Sequence, residues 1–161
     1  MYKLPTLDAA DTESFYEALA RQLEALLGDE RDRIANLANA AALVWHTVPR
    51  LNWAGFYLMK DGELVLGPFQ GKPACVRIAV GNGVCGTAVA TGRAIRVEDV
   101  NEFPGHIACD ADSRSELVLP LHEGGRVIGV FDLDSPERAR FSEADEAGFA
   151  RLVRVLEATW T

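Results

Sequence analysis

Cysteine is scarce in this chain: Cys75, Cys85 and Cys109 are the three in 161 residues. An odd, small number does not suit a secreted disulfide framework, which leaves thiol chemistry or plain burial. Long apolar runs are missing too. None approaches the ~18 residues of a membrane span, and Met1-Tyr2-Lys3-Leu4-Pro5 lacks a signal peptide's apolar stretch, so a cytoplasmic protein is expected. Positive charge is in deficit, with 16 Lys and Arg against 24 Asp and Glu and a formal net charge of −8. Repulsion then argues against a nucleic-acid or anionic-membrane partner, while a small ligand bearing a cationic group is easily accommodated. Repeats and low-complexity linkers are also lacking. What is present, 48% hydrophobic residues over this length, suffices for one domain spanning 1–161.

Phe15, Tyr16, Leu19, Leu23, Leu26 and Leu27 recur at helical spacing between the capping pair Asp11-Thr12 and Gly28. A second helix is expected from about 29 to 47, with Ile34, Leu37, Ala38, Ala41 and Trp45 on its inner face and Pro49 as its stop. These N-terminal helices cover about 11–47, and a homodimer through the first stays open. From Asn52 the period becomes two: W-A-G-F-Y-L-M, a Lys60-Asp61-Gly62 turn and E-L-V-L-G-P make a hairpin. Strands are further expected at 75–80, 94–97, 115–121 and 126–134, with a short helix after G-N-G-V-C-G-T that holds Cys85 near its N-terminus. Sheet and active-site loops thus span about 52–135. Residues 98–114 show no period, and Phe103, His106, Ile107 and Cys109 among their acids suggest an ordered loop over a pocket. Ser142-Glu143-Ala144-Asp145 resembles a capping box opening a last helix, about 142–160. The order predicts an α+β fold, a central antiparallel sheet with helices on one face and a ligand pocket under loops on the other.

Period-two geometry sends Asp132 and Asp134 to one strand face and Phe131 and Leu133 to the other. Ile128 and Val130 precede the carboxylates on their face, so that face is expected to be partly covered; a solvated outer face is the alternative. Two crowded carboxyls raise at least one pKa. Glu116 opens the neighbouring strand and either joins them or is a strand-end surface charge. Trp53 and Tyr57 share a face with Gly55 between them, an open space flanked by rings that suits a polarisable sulfur or a cationic methyl group, or else ordinary core. A thiol at a helix N-terminus or polar loop can have a lowered pKa, and a redox site needs a second cysteine within ~7 Å of the first. Cys75 and Cys109 can approach that closely. Three idle cysteines, or zinc on Cys75, Cys85, His106 and Cys109, are the rival readings; no C-x-x-C pair supports zinc. His46 and His122 look incidental.

The words N-W-A-G-F-Y, G-P-F-Q-G-K-P-A-C, G-N-G-V-C-G-T-A, G-H-I-A-C-D-A-D-S-R-S-E-L-V-L-P-L and G-V-F-D-L-D-S, in this order, resemble the free methionine-(R)-sulfoxide reductase family, a single-domain branch of the GAF fold. The resemblance runs from Leu7 onward. It implies a GAF-like domain that reduces free methionine-(R)-sulfoxide, with Cys109 as nucleophile, Cys75 as resolving thiol and Cys85 as an auxiliary resolving or relay thiol. It also implies an aromatic wall of Trp53 and Tyr57 and an acidic cluster of Glu116, Asp132 and Asp134. No metal or cofactor is implied, and thioredoxin or a similar dithiol is the expected reductant. A non-catalytic GAF sensor of small molecules is the alternative.

Overall fold

The computed structural model describes residues 11–107 and 109–160; the expectations resting on residues 1–10 and on Ala108 lie outside them. Helix α1, Thr12–Leu27, starts where Asp11 accepts the Ser14 N–H and ends at Gly28. Helix α2, Arg33–Thr47, begins four residues later than expected. The Glu30 carboxylate accepts both the Arg31 and Asp32 amides at 2.7 Å, which holds a turn there, and Asp32 becomes the cap.

The expected inner face of α2 is also rotated. Leu37 and Ala41 are buried as foreseen, but Ala40, Leu43 and Val44 complete the stripe, and Ile34 is 53% exposed. Evenly distributed alanines fit either stripe, and packing on the sheet decides between them.

Six strands follow: β1 Trp53–Lys60, β2 Glu63–Gly71, β3 Arg77–Ala79, β4 Ile95–Val97, β5 Ser115–Glu123 and β6 Arg126–Ser135. They form one antiparallel sheet in the order β3-β2-β1-β6-β5-β4, so β1, β6 and β5 lie at its centre. Both tight hairpins turn on two residues with positive φ, Asp61-Gly62 and Gly124-Gly125, which matches the twist of the strands they join.

Alternation gives the sheet two different faces. Ala54, Phe56, Leu58, Leu117, Leu119, Leu121, Phe131 and Leu133 meet α1, α2 and the last helix, α4 (Glu143–Glu157), in the larger core. Trp53, Tyr57, Val118 and Val130 point the other way, joined by Leu64, Ile78 and the short helix α3, Gly83–Thr91. The chain between β4 and β5 covers this second face. Among the described residues no helix is long and apolar enough to cross a membrane.

Two bulges refine the pattern. Opposite Gly55–Tyr57, β2 uses one residue more than β1, at Gly67-Pro68, where proline's missing N–H does no harm. In β6, Ile128 is the extra residue, and it packs against the larger core rather than preceding the carboxylates on their face. Strict alternation over 128–134 does not anticipate that slip.

Candidate active site

The site is built on three adjacent central strands. Trp53 of β1 pairs with Asp134 of β6, which pairs with Glu116 of β5; one row along, Gly55 pairs with Asp132 and Asp132 with Val118. All of these residues face away from the larger core, so three carboxylates converge on one patch of sheet. Glu116 and Asp132 are each only 6% exposed, which excludes both the strand-end charge and the solvated outer face. Like charges this close, away from water, favour the neutral acids. Burial pushes Glu116 and Asp134 well above the ordinary carboxylate range, with Asp132 adding to both. Burial also raises Asp132, to about 6, while hydrogen bonding from Glu116 and Cys85 pulls it partly back. Its Oδ1 is enclosed without a hydrogen-bond partner.

Helix α3 lowers Cys85 into this patch. A Cβ at Gly86 would strike the Ala79 carbonyl, so glycine lets the helix start flush against the end of β3. Cys85 is 3% exposed, with Sγ 3.9 Å from Glu116 Oε1. The helix N-terminus alone would lower a thiol's pKa, but here burial and the neighbouring carboxylates, Asp132 foremost, raise it well above normal. His106 faces the same carboxyls from the covering loop, Nε2 3.9 Å from Glu116 Oε2, and burial lowers its pKa.

The aromatic wall differs from the open slot expected. The β2 bulge places Phe69 where a Gly55 side chain would stand, and its ring stacks on Trp53 at 5.2 Å. Trp53 in turn stacks near Tyr57 at 5.9 Å. The wall has three rings, and Gly55 is needed for the close approach of Phe69. The polar tips of two of them hold the next segment: Trp53 Nε1–H donates to the Lys72 carbonyl at 3.1 Å, and the Tyr57 hydroxyl to the Cys75 carbonyl at 2.9 Å.

Cys75, on that segment, is joined to Cys109 on the covering loop by a disulfide, with Cα atoms 5.8 Å apart. Cys75 sits in irregular chain before β3 rather than at the strand's start, because β3 begins only at Arg77. Cys85 is a free thiol. The two cysteine-bearing segments are further tied by Lys72, whose ammonium lies 2.7 Å from Asp112 and 3.4 Å from Asp110, while Asn52 Nδ2, just before β1, donates to Asp110 and Ser113 and ties the covering loop to the sheet. Beneath them lies a cavity of about 550 Å³, its mouth included, lined by seven of the eight residues singled out from sequence; the eighth, Cys75, adjoins it through its neighbour Ala74 and its bond to Cys109. His106, Lys72, Asp110 and Ser113 line it too. The sequence placed His106 on the loop over the pocket and among the rival zinc ligands, but gave Lys72, Asp110 and Ser113 no role, although they stand inside the quoted words, beside the cysteines. Thiol–disulfide exchange at the mouth and proton transfer from neutral carboxyls at the floor are the chemistries this arrangement supports.

Residues 35–158 match the model of the GAF domain family. Protein YtsP of Bacillus subtilis is 58% identical over 92% of this chain and 93% of its own length. The free methionine-R-sulfoxide reductase of Escherichia coli is 55% identical over 89% of this chain and 87% of its own. In structure, the free methionine-R-sulfoxide reductase of Neisseria meningitidis, solved in complex with its substrate, superposes with a TM-score of 0.94 at 44% identity, covering 99% of this chain and 96% of that one.

Proposed function

This chain belongs to the free methionine-(R)-sulfoxide reductase family of GAF domain proteins, and on that premise we propose that it reduces free L-methionine-(R)-sulfoxide to methionine with electrons from its own thiols. The observation that carries this reading is the Cys75–Cys109 disulfide over a floor of buried carboxyls. A pair of cysteines reports where electrons leave. Neutral acids beside them report where the sulfoxide oxygen goes.

In the reduced enzyme the Cys109 thiolate attacks the sulfoxide sulfur while a protonated carboxyl of the Glu116, Asp132 and Asp134 cluster donates its proton to the departing oxygen. The S–O bond and the transient bond between the two sulfurs break as the protonated oxygen passes to Cys109, so methionine leaves and Cys109 is oxidised to a sulfenic acid. Cys75 displaces that oxygen as water and closes the disulfide. An external dithiol then restores both thiols by exchange and is itself oxidised. Ionised members of the cluster attract the substrate ammonium, and the wall of Trp53 and Tyr57 holds the methyl-bearing sulfur. Cys85, buried behind the pair, is an auxiliary thiol.

Thioredoxin, or a dithiol like it, in the cytoplasm is the reductant this cycle calls for. Each cavity is complete within one chain, so a homodimer through α1 is compatible with the scheme but not required by it; light scattering measures it.

The test is replacement of Cys109 by serine, followed by an epimer-resolved assay of free methionine sulfoxide with dithiothreitol. Turnover of the R epimer should vanish. Substantial remaining activity would remove Cys109 from the nucleophile's role. A thiol count separates enzyme from sensor: substrate should consume two thiols of the reduced wild type, whereas a sensor loses none.

A further inference from the structure

The cavity floor collects donors that the catalytic scheme does not fully use. Cys85 Sγ, a Glu116 oxygen and an Asp132 oxygen all lie within 4.8 Å of one another, and all three residues are buried. Oδ1 of Asp132 is enclosed, has no hydrogen-bond partner and belongs to a residue more than nine-tenths buried. Among the lining residues the one lysine or arginine is Lys72, and its ammonium is held by Asp110 and Asp112. The floor is therefore a set of sulfur and carboxyl donors with no lysine or arginine free to face it.

We propose that Cys85, Glu116 and Asp132, with His106 as fourth donor, bind one zinc-class divalent ion, and that this ion competes with the amino-acid substrate for the cavity. Zinc–sulfur and zinc–oxygen bonds of ~2.3 and ~2.1 Å at the tetrahedral angle put the two ligand atoms roughly 3.6 Å apart. Cys85 Sγ and Glu116 Oε1 are 3.9 Å apart. His106 Nε2 lies 3.9 Å from Glu116 Oε2, and the nitrogen–oxygen separation expected from the same bond lengths is roughly 3.4 Å. Cys85 and Glu116 need a shift of only a few tenths of an ångström, whereas His106 stands outside the group of donors lying within 4.8 Å of one another and has to swing inward to complete the shell. The donor set selects the metal: sulfur and imidazole suit zinc or cobalt, whereas magnesium needs about six oxygens at octahedral angles. The zinc reading drawn from sequence used Cys75 and Cys109. Both are taken by the disulfide, and the carboxylates replace them.

The competition rests on the reductase reading; the binding itself does not. Oxidised protein is the material to use, since its Cys75 and Cys109 thiols cannot ligate. Zinc titrated alone against a chromophoric chelator should bind at a single equivalent, and cobalt in its place should show thiolate-to-cobalt charge-transfer absorption. Cys85→Ser should abolish that absorption, and Asp132→Asn should weaken zinc by at least about tenfold. Saturating free methionine-(R)-sulfoxide should weaken it similarly. Absence of stoichiometric binding, full affinity in both variants, or indifference to the sulfoxide would each overturn the proposal. If a variant fails to fold by circular dichroism, the wild-type cobalt spectrum decides, and a spectrum without sulfur ligation overturns the site. Zinc binding in a protein that fails the sulfoxide assay would uphold the site and refute the reductase reading instead.

Discussion

Asp132 carries the most informative titration in the molecule. Its folded pKa is raised to about 6 by burial, from an ordinary value of 3.8, so the fold favours its neutral form. A raised carboxyl contributes stability that is fully present below the unfolded pKa and is lost as pH climbs through the folded one. Between about pH 4 and pH 6 the native state binds more protons than the unfolded chain, and by pH 8 the ionised group costs up to about 3 kcal/mol. Asp132→Asn should therefore melt higher than wild type at pH 8, the advantage shrinking toward pH 4, while turnover falls. Calorimetry at both pH values checks this; a gap that does not change with pH would mean that burial of the charge is not what destabilises. The carboxylates were legible because period two fixes which way Asp132 and Asp134 point. Lys72 and Asp110 were not, since their ion pair joins segments 38 residues apart and no local pattern announces it. Phe69 was hidden similarly, behind a bulge that nothing nearer than β1 makes necessary.

Among the elements, α1 and α4 show how closely the helical layer is fitted. A Cβ at Gly148 would land on the Tyr16 ring, whose hydroxyl donates to Asp145 Oδ1 at 2.8 Å beside the Arg140 guanidinium. Gly148→Ala is expected to destabilise by about 1–3 kcal/mol through overpacking, seen as a lower urea midpoint, with KM for the sulfoxide unchanged. A shifted KM would couple the helical layer to the cavity. The Tyr57 hydroxyl ties β1 to the Cys75 segment. Tyr57→Phe keeps the ring and removes a bond worth about 1 kcal/mol, so closure of the disulfide should slow several-fold and a sulfenic-acid trap should capture more Cys109; equal capture in variant and wild type would show that the tie does not position Cys75. Element types were readable here from caps and periods: Asp11, Gly28 and the Ser142–Asp145 capping box all stand where expected. The phase of α2 was not, because its alanines offer two equally apolar stripes.

Across the whole molecule, the sheet separates a larger core built with α1, α2 and α4 from a smaller one that carries the cavity. The disulfide lies on the smaller side and closes a loop with a sequence separation of 34, enclosing β3, α3 and β4. Chain-entropy arguments assign such a link about 3–4 kcal/mol, so dithiothreitol should lower the melting temperature by on the order of 10 °C, and Cys75→Ser should match the reduced wild type. Identical melting of reduced and oxidised protein would mean that the link constrains nothing the fold does not already hold. Two of the three rings of the aromatic wall are also the hooks from which the Cys75 segment hangs, through Trp53 to Lys72 and Tyr57 to Cys75. Selection for a differently shaped amino acid therefore cannot redesign that wall freely. A lineage that trades either ring for a new guest inherits a slackened resolving arm with it, and must evolve a second fastening before the new preference is usable.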